Sequence, residues 1–143
     1  MAHAEAMQPD THSKRLFWGC FTAILATAFG FIARVLTAGE WGAEFGLSET
    51  QVGEILGAGL WPFAISIVLF SLVIDHIGYK AAMWFGLICH TLSTVLILLA
   101  QDYWMMYLGT FVLALGSGTV EAYINPVVAT VFSREKTKWL NIL

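Results

Sequence analysis

Charged residues are scarce in this chain of 143 residues. They make up 12% of the sequence, while hydrophobic residues make up 58%, and a soluble domain usually carries about 25% charge. With a mean hydropathy of +0.73, the chain has too little polar surface to cover a water-soluble fold. The composition therefore predicts an integral membrane protein with the lipid bilayer as its surroundings.

Cysteines and runs of basic residues are also scarce. Cys20 and Cys89 lie inside apolar segments, which predicts small packing residues rather than a disulfide. The seven Lys and Arg residues form no run of the kind that binds nucleic acid. The sequence has no metal-ligand cluster, nucleophile triad or phosphate-binding loop. We therefore expect no enzyme activity, no metal, no cofactor and no nucleic-acid partner.

Four apolar segments are long enough to cross a bilayer, which takes about 20 helical residues. They cover roughly 16–38, 52–74, 81–100 and 104–132. We expect a kink at Pro62 in the second, and the long fourth span must tilt or bend at Pro126. Residues 1–15 form a polar tail, and residues 16–143 form an all-α membrane bundle of four helices.

The basic residues predict the orientation of these spans. On an alternating path, one side carries Lys14, Arg15, Lys80, Arg134, Lys136 and Lys138, and the other carries Glu40, Glu44, Glu49, Glu54 and Asp102. Positive residues favour the cytoplasmic side. We therefore expect a cytoplasmic N-terminus in an inner or plasma membrane.

Two local patterns concern the helices themselves. Small residues recur four positions apart in the pairs Gly19 and Ala23, Ala26 and Gly30, and Gly53 and Gly57. In lipid such faces let helices approach closely, so we expect helix contacts there. Ser48, with Gln51 three residues later, predicts a helix start.

Glu121 lies inside the longest apolar run of the chain, Tyr103 to Phe132. A carboxylate at membrane depth is costly unless it is paired, protonated or faces a polar cavity. At 3.6 residues per turn, Ala114, Gly118, Glu121 and Asn125 share one small, polar face, which predicts a face that lines a cavity. Glu121 would bind a proton or a substrate hydroxyl, and Asn125 would orient the ligand. Alternatively, a protonated Glu121 would bond to a neighbouring helix.

Arg34 is the second intramembrane charge, near the outer end of the first span. It would either extend to the outer interface as a snorkelling side chain or place a positive group at the outer mouth of a cavity. The helical rise separates it from Glu121 by roughly 15 Å along the membrane normal, so we expect no direct pair. His90, in the third span, is interpreted as a packed, hydrogen-bonded residue.

The turn between the second and third spans carries a motif. Residues 71–80 read SLVIDHIGYK, in which Asp75, Gly78 and Lys80 match the pattern G-x-x-x-D-R-x-G-R-[RK], while Ser71, His76 and Tyr79 depart from it. The turn thus resembles the signature loop of the major facilitator superfamily. The resemblance implies a transporter fold in which this loop acts as a conformational latch between two halves.

A narrower resemblance covers the fourth span and the loop after it. Glu121-x-x-x-Asn125-Pro126, followed by Lys136-Thr137 and Leu140-Asn141, is similar to the fucose permease-like sugar:proton symporters. That resemblance implies that Glu121 serves in substrate binding and proton coupling. The first span contains no acidic residue, and Arg34 is its only charge.

Together the resemblances imply the first four helices of a twelve-helix transporter, with the C-terminal helices as missing partners. Trp139 to Leu143 reads as the start of a fifth apolar helix. The expected function is secondary transport of a small polar solute, in the first place a sugar, with the proton as coupling ion. The alternatives are an efflux antiporter of the same superfamily and a truncated membrane protein without transport activity.

Overall fold

The computed structural model describes residues 11–143, so most of the predicted tail lies outside the described residues. The described range contains helices and no strand, which confirms the all-α membrane fold. The helices are α1 (Thr11–Glu44), α2 (Glu49–Gly57), α3 (Trp61–Ile77), α4 (Tyr79–Leu98), α5 (Tyr103–Val131) and α6 (Lys136–Ile142). Within residues 11–143, four segments are long and apolar enough to cross a membrane, with α2 and α3 together forming the second.

The second span is broken rather than merely kinked. α2 ends at Gly57 and α3 begins at Trp61, which places Pro62 in the first turn of α3. A proline is tolerated there because the first N–H groups of a helix have no partner within the helix. The interruption that we expected at Pro62 therefore lies just before it, at residues 58–60.

Helix ends are fixed by local hydrogen bonds. The predicted start at Ser48 is confirmed, since Ser48 and Gln51 form a reciprocal capping box. Asp102 caps α5 with a single bond, in which its Oδ1 accepts from the Met105 amide at 2.8 Å. Between α3 and α4, Gly78 adopts a φ of +80°. Residues other than glycine rarely adopt this backbone conformation.

α5 is the central helix of the bundle. Of its most apolar window, 67% is buried, compared with 11% for α1. A Cβ added at Gly116 would lie 2.7 Å from Cβ of Cys89 on α4, and one added at Gly118 would collide with the Phe63 carbonyl on α3. These two glycines therefore let α5 approach α4 and α3 closely.

The pairs of small residues that the sequence shows four positions apart do not make the close helix contacts that we expected. A Cβ added at Gly19, Gly53 or Gly57 would meet nothing within 4 Å, and only Gly30 lies near another helix, 3.4 Å from Leu113. The contacts form instead at the glycines of α5, because that helix lies between the others.

The basic end of the bundle is closed by aromatic rings. Phe17 of α1 packs against Phe132, with ring centroids 6.0 Å apart, and against Trp139 of α6 at 4.8 Å. Trp139 also stacks on Phe132 at 4.2 Å. These contacts bring the start of α1 and the end of α5 to the same end of the bundle, as an alternating path requires.

Candidate functional site

The small, polar face of α5 divides into a packed part and an open part. Ala114 is fully buried. A Cβ at Gly118 would lie 2.8 Å from Cβ of Ser66 on α3, so this half of the face packs against a helix. The expectation that the whole face lines a cavity is wrong, because α3 occupies the space beside Gly118.

Glu121 and Asn125 form the open part of this face. Glu121 is half-buried, and Asn125, one turn further along, is exposed. Glu121 lies four residues, roughly 6 Å, from the midpoint of α5, and hence at membrane depth. No hydrogen bond or ion pair joins either side chain to another residue of the described range. In this structure, the alternative bond from Glu121 to a neighbouring helix is not formed, and both polar groups are available to a ligand.

Arg34 lies buried at the break of the second span. Only 6% of the residue is exposed, so it does not extend to the outer interface as a snorkelling side chain would. Its Nε donates to the Gly30 carbonyl at 3.1 Å, and its guanidinium lies so close to Gly59 that a Cβ there would collide with it. Glycine at position 59 therefore provides the space for the cation.

Arg34 lies beside a helix end rather than beside an acid. The position of a Cβ at Gly59 is also 3.1 Å from the Leu56 carbonyl, in the last turn of α2. The carbonyl end of a helix carries partial negative charge and favours a cation. The ion pair found among residues 11–143, Lys138 with Glu135, does not involve Arg34.

On the same side of the bundle as Arg34, α2 is also tied to α5. The Tyr103 hydroxyl donates to Oε2 of Glu54 at 2.6 Å. Arg34 and Tyr103 thus both contact the C-terminal end of α2. No sequence pattern predicts the pairing of Tyr103 with Glu54, because the two residues lie far apart along the chain.

A buried polar contact joins α3 to α5. The Ser66 hydroxyl donates to the Leu115 carbonyl at 2.7 Å and lies 3.0 Å from the Thr119 hydroxyl. Thr119 donates to the same carbonyl at 2.8 Å. This contact joins α3 to α5 at Thr119, two residues before Glu121.

A cavity of about 460 Å³ lies between α1, α4 and α5. Its walls are small and apolar residues, and Lys80, His90 and Tyr123 supply polar groups. Glu121 does not line this cavity. The sequence predicts Lys80 as part of the signature loop and His90 as a packed residue, and no sequence pattern marks Tyr123.

His90 takes a defined orientation beside this cavity. Its Nδ1 lies 2.8 Å from the Gly86 carbonyl, and its Nε2 lies 3.5 Å from the Thr27 hydroxyl. Because a carbonyl only accepts hydrogen bonds, Nδ1 carries the proton, and in the neutral ring Nε2 faces Thr27 as an acceptor. The expectation of a packed, hydrogen-bonded histidine is confirmed.

The signature loop is short and exposed. Asp75 and Lys80 are exposed, and Gly78 makes the turn with its positive φ. Neither charged side chain forms an ion pair with another residue of the described range. Both charges are available to partners outside this set of helices, and the latch role stays a prediction.

The described residues hold no group of three or more His, Cys, Asp or Glu side chains that could bind a metal ion.

A comparison with protein families matches residues 14–143 to the Major Facilitator Superfamily. No curated protein and no solved structure shows a significant match to the chain.

Proposed function

Because this chain belongs to the major facilitator superfamily, a family of membrane transporters rather than enzymes, we propose that it serves proton-coupled transport of a small polar solute. A sugar is the first candidate, on the similarity of residues 118–143 to sugar:proton symporters. The observation that carries this proposal is the half-buried, unpartnered carboxyl group of Glu121 at membrane depth.

The chemistry of Glu121 suits an alternating proton site. A carboxylate within the membrane costs several kcal/mol when unpaired, so binding a proton relieves that cost. The protonated group can donate a hydrogen bond to a solute hydroxyl, and the amide of Asn125 can both donate and accept. Solute and proton would therefore bind together and leave together.

The proposed cycle uses these properties in order. Glu121 takes a proton from the outside and holds the solute together with Asn125. The bundle then opens inward, where the solute leaves and Glu121 releases its proton. The exposed loop with Asp75, Gly78 and Lys80 would act as the latch between the two states, on the cytoplasmic side that the basic residues favour.

The test is the substitution Glu121→Gln in the protein as encoded by its native gene. Glutamine keeps the size and hydrogen bonding of the side chain but cannot carry the coupled proton. We expect loss of proton-driven solute accumulation, with part of the solute exchange retained. Glu40→Gln, on the exposed end of α1, is the matched control. Undiminished accumulation by Glu121→Gln would remove Glu121 from the mechanism.

Arg34 favours a second candidate, an efflux antiporter for anionic or amphipathic solutes. Its guanidinium is buried and has no carboxylate partner in the described part of the chain, so an anionic solute could neutralise it. Uptake and efflux measured over the same solute panel would separate the two candidates. Export of anions that depends on Arg34, with no uptake of sugars, would favour the antiporter.

A further inference from the structure

The cavity between α1, α4 and α5 lies on a different side of α5 from Glu121, and the proposed transport cycle makes no use of it. Its apolar wall includes Ala23 and Ala26 of α1, Trp84 and Leu87 of α4, and Val120 of α5. Gly19 also lines it, and a Cβ there would meet nothing within 4 Å. The cavity is therefore open space beside α1.

The polar groups of this cavity have a definite arrangement. Lys80 lies at the aqueous end of α4, where the first span also begins, and makes no ion pair within residues 11–143. Tyr123 is only 3% exposed, yet no hydrogen bond joins its hydroxyl to another residue of the described range. Because Tyr123 lines the cavity, a ligand that supplies an acceptor oxygen can receive the hydrogen bond of this hydroxyl.

The length of the cavity matches one lipid leaflet. From Lys80 to His90, both in its lining, α4 rises about 15 Å at 1.5 Å per residue. The hydrocarbon core of a bilayer is about 30 Å thick, so one leaflet contributes about half of that. The cavity thus has apolar walls over the depth of an acyl chain and a cation at the level of the headgroups.

We propose that this cavity binds one anionic phospholipid from the leaflet on the Lys80 side. Its acyl chain lies along the small residues of α1 and the apolar side chains of α4, and its phosphate contacts Lys80. The Tyr123 hydroxyl donates to an oxygen of the ester region. Charge complementarity favours an anionic over a zwitterionic lipid, since a basic residue near the membrane surface contributes about 1 kcal/mol to anionic lipid binding.

The test is native mass spectrometry of the 143-residue chain released from micelles that contain either phosphatidylglycerol or phosphatidylcholine. We expect one tightly retained phosphatidylglycerol molecule. Gly19→Leu should abolish its retention by filling the cavity, while Gly39→Leu should not. Gly39 is the matched control, because it lies on the same helix and a Cβ there also meets open space.

The charge is tested separately. Lys80→Gln should lower the preference for phosphatidylglycerol about fivefold, whereas Lys136→Gln, an exposed residue at the same end, should leave it unchanged. Equal retention in Gly19→Leu and the parent chain would overturn the proposal. So would equal behaviour of the two lysine variants, or a Gly19→Leu variant that changes the number of chains per particle instead of the lipid count.

A second measurement needs no cavity-filling variant. Phosphatidylglycerol with brominated acyl chains should quench the tryptophan fluorescence of the parent chain more than brominated phosphatidylcholine at the same mole fraction. Trp84→Phe should remove this difference, because Trp84 lines the cavity. Equal quenching by both lipids would also overturn the proposal. Neither result bears on Glu121, which lies outside this cavity.

Discussion

At the scale of single residues, the closest approach of α5 to α3 depends on Gly118. A Cβ there would collide with the Phe63 carbonyl and lie 2.8 Å from Ser66. We expect Gly118→Ala to lower the free energy of unfolding in micelles by about 1–3 kcal/mol, the usual cost of overpacking.

Gly53→Ala is the control for this variant. Position 53 is helical and a Cβ there meets nothing within 4 Å, so alanine should raise the free energy of unfolding by about 0.5–1 kcal/mol. Unfolding in denaturant, followed by circular dichroism, measures both changes. Equal effects of the two variants would contradict the close packing of α5 on α3.

Two threonines of α5 should respond in opposite ways to the loss of their hydroxyl groups. Thr110 is fully buried, and its Oγ1 has no hydrogen-bond partner among residues 11–143, so Thr110→Val should raise the free energy of unfolding by about 1 kcal/mol. Thr119 is equally buried but bonded to Leu115 and Ser66. Thr119→Val should lower the same quantity by about 1 kcal/mol. Unfolding in denaturant, followed by circular dichroism, measures both changes. A loss of stability in both variants would refute this account of Thr110.

Residue roles were only partly predictable. Glu121 stands out in sequence because an acid in an apolar run is costly wherever the helix faces. Which part of its face is open depends on the position of α3, and no spacing rule gives that. Tyr123 and the contact of Arg34 with Gly59 likewise depend on tertiary packing.

At the scale of elements, α2 is a short helix held near its C-terminal end by two side chains. Arg34 lies at the break that follows it, and Tyr103 bonds to Glu54. The break itself was predictable only as a disturbance near Pro62, because proline marks a helix start as well as a kink. The cap at Ser48 was predictable in full, since it involves only residues four positions apart or less.

We expect Tyr103→Phe to loosen α2 without affecting α3. Losing a hydrogen bond worth about 0.5–1 kcal/mol should speed amide exchange in residues 49–57 about two- to fivefold. Exchange in residues 61–77 should not change, because the break separates the two helices. Hydrogen–deuterium exchange with mass spectrometry measures both segments.

Tyr107→Phe is the matched control, one turn further along α5 and without a hydrogen bond to a described residue. If exchange in residues 49–57 became faster in Tyr107→Phe, or did not become faster in Tyr103→Phe, the bond to Glu54 would not be what holds α2.

At the scale of the whole molecule, the number of spans followed from composition and run length alone. The order of packing did not, because every span is apolar all round and periodicity does not say which one is central. α5 takes that place through its glycines and its Ser66 contact. The separation of basic and acidic residues to opposite ends follows from the same alternating path.

That separation predicts the topology in the membrane. His76→Cys, in the exposed turn near Lys80, should react with a membrane-impermeant maleimide only after cells are permeabilised. Glu40→Cys, at the opposite end of α1, should react in intact cells. The native Cys20 and Cys89 are buried and should give little background. Labelling of His76→Cys in intact cells would show the opposite orientation in the membrane.

The central claim, that Glu121 carries the coupled proton, is tested most directly by solute-driven proton flux. The protein as encoded by its native gene is reconstituted into vesicles that contain a pH-sensitive dye, and candidate sugars are added outside one by one. We expect a transported sugar to acidify the interior in the parent protein and in Glu40→Gln, but not in Glu121→Gln. Acidification by Glu121→Gln at the parent rate would contradict the account.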